Sequence, residues 1–239
     1  MKIVLSRKGF DSTSGGGPSP IVDGVPVSLP IPASAGRPGT SYADLELGNH
    51  VAAASRGRIA AEALAHHDPM FTPDGRCLFG QCHAAQSHLE NQGVGPGDLF
   101  LFFGLFRQGS EPAHHRIFGW LWVEEVLRSG DPAMAALAAL GHPHALEAHG
   151  RNDAVWCGPG GQARTAHPDL RLTVEGARPS LWRVPPWIER NGLSFHANPP
   201  RWLGEGRLQS VARGQEFVTE AGDDDEAHAW AHRILALMD

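Results

Sequence analysis

The sequence has no apolar run approaching the ~18 residues that a membrane-crossing helix needs, which argues against a membrane-bound protein. Cysteine is scarce. Cys77, Cys82 and Cys157 are an odd count with no close C-x-x-C pair, so reduced thiols are expected rather than a disulfide framework. Lysine is scarcer still: Lys2 and Lys8 are the two lysines among 20 basic side chains, the rest being arginine. Lys2 is terminal, whereas Lys8 lies between Arg7 and a glycine-rich turn, where a compact point charge does what a guanidinium cannot. Net positive charge is also missing. A formal −6 excludes a protein that coats duplex nucleic acid by neutralising phosphates, but leaves room for a nucleotide or one extruded base in a local pocket. The apolar stretch after Met1 is too short for a secretory signal and is soon followed by charge, so a cytoplasmic location is expected.

Glycine and proline are plentiful, 29 and 19 of 239 residues, rich in turns yet below the ~25–30% of low-complexity chains. A chain of this length buries roughly 70–75% of its unfolded surface and needs no staples. Ile3-Val4-Leu5 predicts a buried first strand over residues 2–6, followed by a loop from Gly9 to Pro20. Ile21-Val22, Asp23-Gly24 and Val25-Pro26 predict a hairpin. Helices are expected over 42–48, over the alanine-rich 50–64 despite its poor apolar stripe, and over 81–91, with a loop at 66–80. Residues 98–106 and 115–126 give the strongest strand signals, and their short polar connection predicts adjacent antiparallel strands in the middle of a sheet. A short helix at 132–140, strands at 154–157, 170–174 and 215–218, and a terminal helix led by acidic residues complete the pattern. No repeat or clean linker interrupts it. The expected architecture is one α+β domain over 1–239, a mixed, largely antiparallel sheet flanked by helices and long loops.

Four polar constellations carry candidate chemistry. Arg7, Lys8 and Asp11 precede Ser14, Gly15, Gly16 and Ser19, a strand end and flexible loop that can present cations and backbone N–H groups to phosphate, or simply form a surface loop. The order is neither a Walker motif nor a G-x-G-x-x-G fingerprint. His66-His67-Asp68-Pro69 offers an imidazole and a carboxylate for proton transfer or a metal, and equally a turn before proline. Cys77, Cys82, His83 and His88 fit no ordinary zinc spacing, so no metal ligand is assigned; Gln81, Gln86 and His88 instead suit hydrogen bonding to a base edge or to neighbouring backbone. Arg213-Gly214-Gln215-Glu216-Phe217 places a carboxylate beside an amide at a strand start. Trp182, Trp187 and Trp202 fit base stacking or a small satellite core.

Taken together, Ser6-Arg7-Lys8-Gly9-Phe10-Asp11, Ser28-Leu29-Pro30-Ile31-Pro32, His66-x-Asp68-Pro69, Leu78-Phe79-Gly80-Gln81 and Ala85-Gln86-Ser87-His88-Leu89 form a recognisable set. Asn91-Gln92-Gly93-Val94, the Gly97–Phe103 strand, Phe118-Gly119-Trp120 and Arg213-Gly214-Gln215-Glu216-Phe217 extend it. The set resembles the nucleotide-modification-associated domain family, third type, from residue 2 to about 220, a family placed by association in bacterial and phage DNA base modification systems. That resemblance implies a part in nucleotide or DNA-base modification. A pocket with a phosphate-facing lysine, carboxylates and a histidine is in turn a recipe for an enzyme acting on a nucleotide or nucleobase by glycosyl or ribosyl transfer or by hydrolysis, with single-stranded or extruded-base DNA as a further partner. The resemblance implies no settled catalytic residues and no known cofactor.

On that basis one pocket is expected. Arg7, Lys8, Ser14, Gly15, Gly16 and Ser19 would face phosphate, with Gln81, Gln86, His88, Arg213 and Gln215 as further binding residues. Asp11 or Glu216 would handle the sugar hydroxyl or base, and His66 with Asp68 would move the proton. Two alternatives stay open: a non-catalytic reader of modified bases, since the Gly97–Phe103 and Phe118–Trp120 strands are loosely similar to small barrels of that kind, and a metal-dependent hydrolase using His66, Asp68 and His88.

Overall fold

Strict alternation in the central strands decides which side chains meet, because successive residues of a strand point to opposite faces. A computed structural model describes residues 1–212 and 214–238 of the chain. Its first third runs β1 (Lys2–Arg7), β2 (Ser19–Val22), β3 (Val25–Pro26), β4 (Thr40–Ser41), α1 (Gly48–Ser55), β5 (Leu64–Ala65), β6 (Met70–Phe71) and β7 (Arg76–Gln81). Then come α2 (His83–Asn91), β8 (Leu99–Gln108), β9 (His114–Trp122), β10 (Glu125–Arg128), α3 (Met134–Ala139), α4 (Pro143–Leu146) and β11 (Ala154–Gln162). The chain finishes with β12 (Leu181–Arg183), α5 (Pro186–Asn191), β13 (Arg207–Gln209), β14 (Glu216–Glu220) and α6 (Asp225–Ala236).

The main sheet follows the order β14-β1-β8-β9-β11-β7-β6. It is an α+β arrangement: β1 and β8 pair in parallel, while the other neighbours along that path are antiparallel. One face carries Ile3, Leu5, Leu99, Leu101, Phe103 and Phe217, packed beneath α5 and α6. The opposite face carries Val4, Phe79, Phe100, Phe102, Trp156 and Val218. The sheet curls around this second face. Gln81 on β7 and Glu216 on β14 are hydrogen-bonded at 2.8 Å although four strands separate them in the ladder order. Each strand that reaches this seam turns polar there: Val4, Ser6 and then Lys8 along the first strand, Phe79 and then Gln81, Val218 and then Glu216. Apolar alternation fills the middle of the curl, and its polar ends define a mouth.

The strand at 2–6, the 21–26 hairpin, the central 98–106 and 115–126 pair, the helix at 81–91 and the terminal helix form as expected. Asp224 caps the terminal helix by accepting from the Glu226 and Ala227 N–H groups. Four stretches differ. Residues 42–46 form turns rather than a helix, and the alanine-rich helix spans only Gly48–Ser55, halted by Arg56 in the left-handed region at φ 57°. With Val51 and Ser55 its buried residues, too little burial supports a longer helix. Residues 66–80 contain the β6–β7 hairpin, because Pro73-Asp74-Gly75 is a connection between strands and not the middle of a loop. Residues 170–174 make single bridges to Arg116 and Trp182 without becoming a strand.

Candidate active site

The mouth of the curled sheet opens into a cavity of about 730 Å³. Ten residues singled out from the sequence line it: Arg7, Lys8, Asp11, Ser14, His66, Asp68, Gln81, His88, Gln215 and Glu216. Four segments far apart in sequence therefore converge. Gly15, Gly16, Ser19 and Gln86 are not among its lining residues, and Arg213 lies outside the described residues.

On the first wall, Lys8 Nζ and Gln81 Nε2 both donate to Glu216 Oε1, at 2.9 and 2.8 Å. The lysine also sits 4.3 Å from the centre of the Phe79 ring. Glu216 is 1% exposed, and its second oxygen, Oε2, has no hydrogen-bond partner among the described residues. A buried acceptor without a donor is costly unless something else supplies the hydrogen.

The phosphate-facing group is less free than the sequence implied. Arg7 donates to the carbonyls of Ala212 and Val211 and lies over the Phe103 and Phe217 rings, so its guanidinium braces the sheet against the 211–212 segment. Asp11 Oδ1 accepts from the N–H groups of Thr13 and Ser14 and from the Thr13 hydroxyl, while its carbonyl takes the Gly16 N–H. The loop is closed upon Asp11, and these N–H groups are not presented to a ligand. Gly15, at φ 89°, is needed because a Cβ there would lie 2.3 Å from the Phe10 ring. Ser19 Oγ accepts from the Leu29 N–H, and Gln86 is buried between Trp156 Nε1 and Glu90. Both are structural ties. Lys8 lines the cavity with one side-chain hydrogen bond among the described residues, to Glu216.

On the second wall, Asp68 Oδ1 accepts the Gly80 N–H at 2.7 Å and lies 3.4 Å from His142 Nε2; its Oδ2 is 3.9 Å from His66 Nε2. Burial works to raise the Asp68 carboxyl, but the bond with His142 and the surrounding imidazoles hold it below the usual range. Burial pushes His66 down to about 4, so its imidazole is neutral near pH 7. His144 and His149 stack at 4.2 Å between ring centres, and His66 lies edge-on to them at 5.1 and 5.3 Å. His144 fits against β7 because residue 80 is glycine: a Cβ there would sit 2.1 Å from the imidazole. Nothing local in the sequence marks His144 or His149, which stand in α4 and in the loop between α4 and β11.

A third element was also missed. Phe195 is 52% exposed, holds a left-handed φ of 66° and lies at the cavity with its ring 4.4 Å from His88. Ser194 fixes this pair, its hydroxyl meeting His88 Nε2 at 3.0 Å and accepting the Val218 N–H at 2.8 Å. A bulky residue strained in this way and left in solvent is a feature that cores do not require. Trp182 and Trp187 are fully buried in the core beneath α5 and α6 and Trp202 packs against it, so these residues belong to the main sheet's own core rather than to a small satellite core. Cys77 is buried in the inner core, away from a common ligand set with Cys82, His83 and His88.

No described helix is long and apolar enough to cross a membrane. Neither the curated proteins nor the solved structures gave a match to the chain. One family model does match, covering residues 2–220, nearly all of the segments that build the two walls. The chain belongs to the nucleotide modification associated domain 3 family.

Proposed function

We propose that the cavity binds a nucleotide or nucleobase and that the chain acts on it by glycosyl or ribosyl transfer or by hydrolysis. The observation that carries this reading is the Glu216 carboxylate, fixed by Lys8 and Gln81 with one buried oxygen left over. An acceptor of that kind suits a donor on a base edge or a sugar hydroxyl. Gln81, held by Glu216 and by the Cys82 N–H, sets the orientation of that contact. Phe195 at the rim offers a face for the base, which needs no sequence-specific partner to stack. Lys8 keeps the positive charge that a phosphate would meet. The neutral His66 imidazole and Asp68 on the second wall suit the chemical end, where a nucleophile gives up its proton. The membership in a nucleotide-modification-associated family agrees with a substrate of this class.

Isothermal titration with nucleoside monophosphates and short single-stranded oligonucleotides tests the binding half. Phe195→Ala should weaken binding about tenfold or more, since a stacked base contributes ~1–3 kcal/mol. Glu216→Gln should change which base or sugar is preferred. Mass spectrometry of nucleosides from cells with and without the protein tests the chemical half and separates an enzyme from a reader of modified bases. Unchanged affinity in both variants would place the ligand elsewhere.

A further inference from the structure

We propose that His66, His144 and His149 form a binding site for one divalent transition-metal ion on the second wall of the cavity. One ring nitrogen from each of the three lies within 4.8 Å of the others. Ligands around a tetrahedral zinc ion stand about 3.3 Å apart, from Zn–N bonds of ~2.1 Å, so a small rotation of the rings closes the set. The three residues come from three places: the segment following β5, helix α4, and the loop ahead of β11. Chance adjacency along the chain does not produce such a group.

The shell behind the histidines is built as a metal site requires. His144 Nδ1 is bound to Asp153 Oδ1, which leaves Nε2 as its free nitrogen. Asp153 is itself 2% exposed, and its other oxygen accepts the His149 N–H at 2.6 Å and lies 3.8 Å from His149 Nδ1. A carboxylate that fixes the ring and tautomer of a ligating histidine is the usual outer partner of such an ion. Asp68, beside His66, is anchored in turn by the Gly80 N–H. The three rings pack against one another with Asp68 and Asp153 behind them.

Imidazole ligands favour zinc, iron, cobalt, nickel or copper over magnesium or calcium, which seek oxygen. All three histidines line the cavity, so the remaining coordination positions open toward it. A closed structural site would have its fourth ligand from the protein. This one leaves space for a water molecule or a substrate oxygen, beside the wall that carries Glu216. His88, named in the sequence-based metal alternative, is not in the group, being engaged with Ser194 and Phe195.

The assignment does not depend on the nucleotide reading, and its test uses no nucleotide. Chelator-stripped full-length protein is titrated with Zn2+ by calorimetry and with Co2+ in the visible spectrum. One equivalent of Zn2+ is expected to bind, and Co2+ should give the visible bands of a low-coordinate, nitrogen-ligated ion. Asp153→Asn should weaken Zn2+ binding 10–100-fold while leaving the ligands in place. His149 is on a loop and half-buried, so His149→Ala should keep the fold, checked by its melting curve, yet lose the tight equivalent and the Co2+ bands. Weak binding of several equivalents, shared alike by wild type, His149→Ala and His66→Ala, would overturn the site.

Discussion

Lys8→Met is expected to destabilise the protein by about 3–5 kcal/mol, the cost of leaving a buried carboxylate without its counter-charge. Methionine keeps most of the aliphatic stem, so the loss is chiefly that of the ammonium, with its bond to Glu216 and its place over the Phe79 ring. Glu216, at 1% exposure, then keeps Gln81 as its one donor among the described residues. For a chain of this size that loss corresponds to a fall in Tm of roughly 10 °C or more. The double variant Lys8→Met/Glu216→Gln should recover most of it, because a neutral amide in the same place carries no uncompensated charge. Urea denaturation of the single and double variants completes the cycle. A Lys8→Met protein within 1 kcal/mol of wild type, or a double variant equal to the sum of the singles, would mean that the pair contributes no coupling. The same substitution should also weaken phosphate-bearing ligands more than nucleosides, since it removes a cation that lines the cavity.

Stability should also fall as pH drops below about 6.5, well before ordinary carboxylates titrate. His115 is held down to about 3, first by burial and then by Arg7, against the opposing pull of Asp11. Its Nδ1 accepts the Trp182 Nε1–H at 3.0 Å, a bond that a proton at that atom would break. His114, 3% exposed, is held down to about 4 by burial and by the Arg171 and Arg116 cations. Above pH 6.5 folded and unfolded chains are both neutral at these rings, and no penalty arises. Below it the unfolded chain takes up protons that the folded chain refuses, and each such ring removes about 1.4 kcal/mol per pH unit until its own folded value is reached. His66, His67 and His196, also lowered by burial, act with the same sign. Asp68 and Asp153 act separately: their lowered values add stability that is lost only as pH falls below about 4, through the folded value. His115→Gln isolates one share. Between pH 6.5 and 4.5 its urea-derived stability should decline less steeply than wild type by up to about 1.4 kcal/mol per pH unit. Parallel pH profiles would show that His115 titrates alike in both states.

What the sequence made legible was whatever period and local chemistry carry. β8 and β9 could be read from their aromatic runs, the first strand from three apolar residues, and the last helix from its acidic start. Lys8 stands out as one of two lysines, His66 with Asp68 as an imidazole–carboxylate pair, Gln81 as an amide suited to a base edge and Glu216 as a carboxylate at a strand start, and all line the cavity. The second wall was only half visible. His144, His149 and Asp153 belong to a segment with little periodicity, and their relation to His66 is a matter of how the loop folds back over β7. Gly80 gave no hint that its missing side chain makes room for an imidazole. Phe195 read as one more aromatic residue in a proline-rich stretch, because exposure and a left-handed φ are not written in residue type. The phosphate role expected of the glycine loop shows the reverse effect: Gly15, Gly16 and Ser19 do not line the cavity, and the Thr13, Ser14 and Gly16 N–H groups are spent on Asp11.

The Lys8–Glu216 contact spans 208 residues. Ribosomal synthesis delivers the ammonium group long before its acid, and domains begin to order from the N-terminal side as they emerge. A nascent chain halted before β14 therefore carries Lys8 without its acid and a cavity that lacks part of one wall.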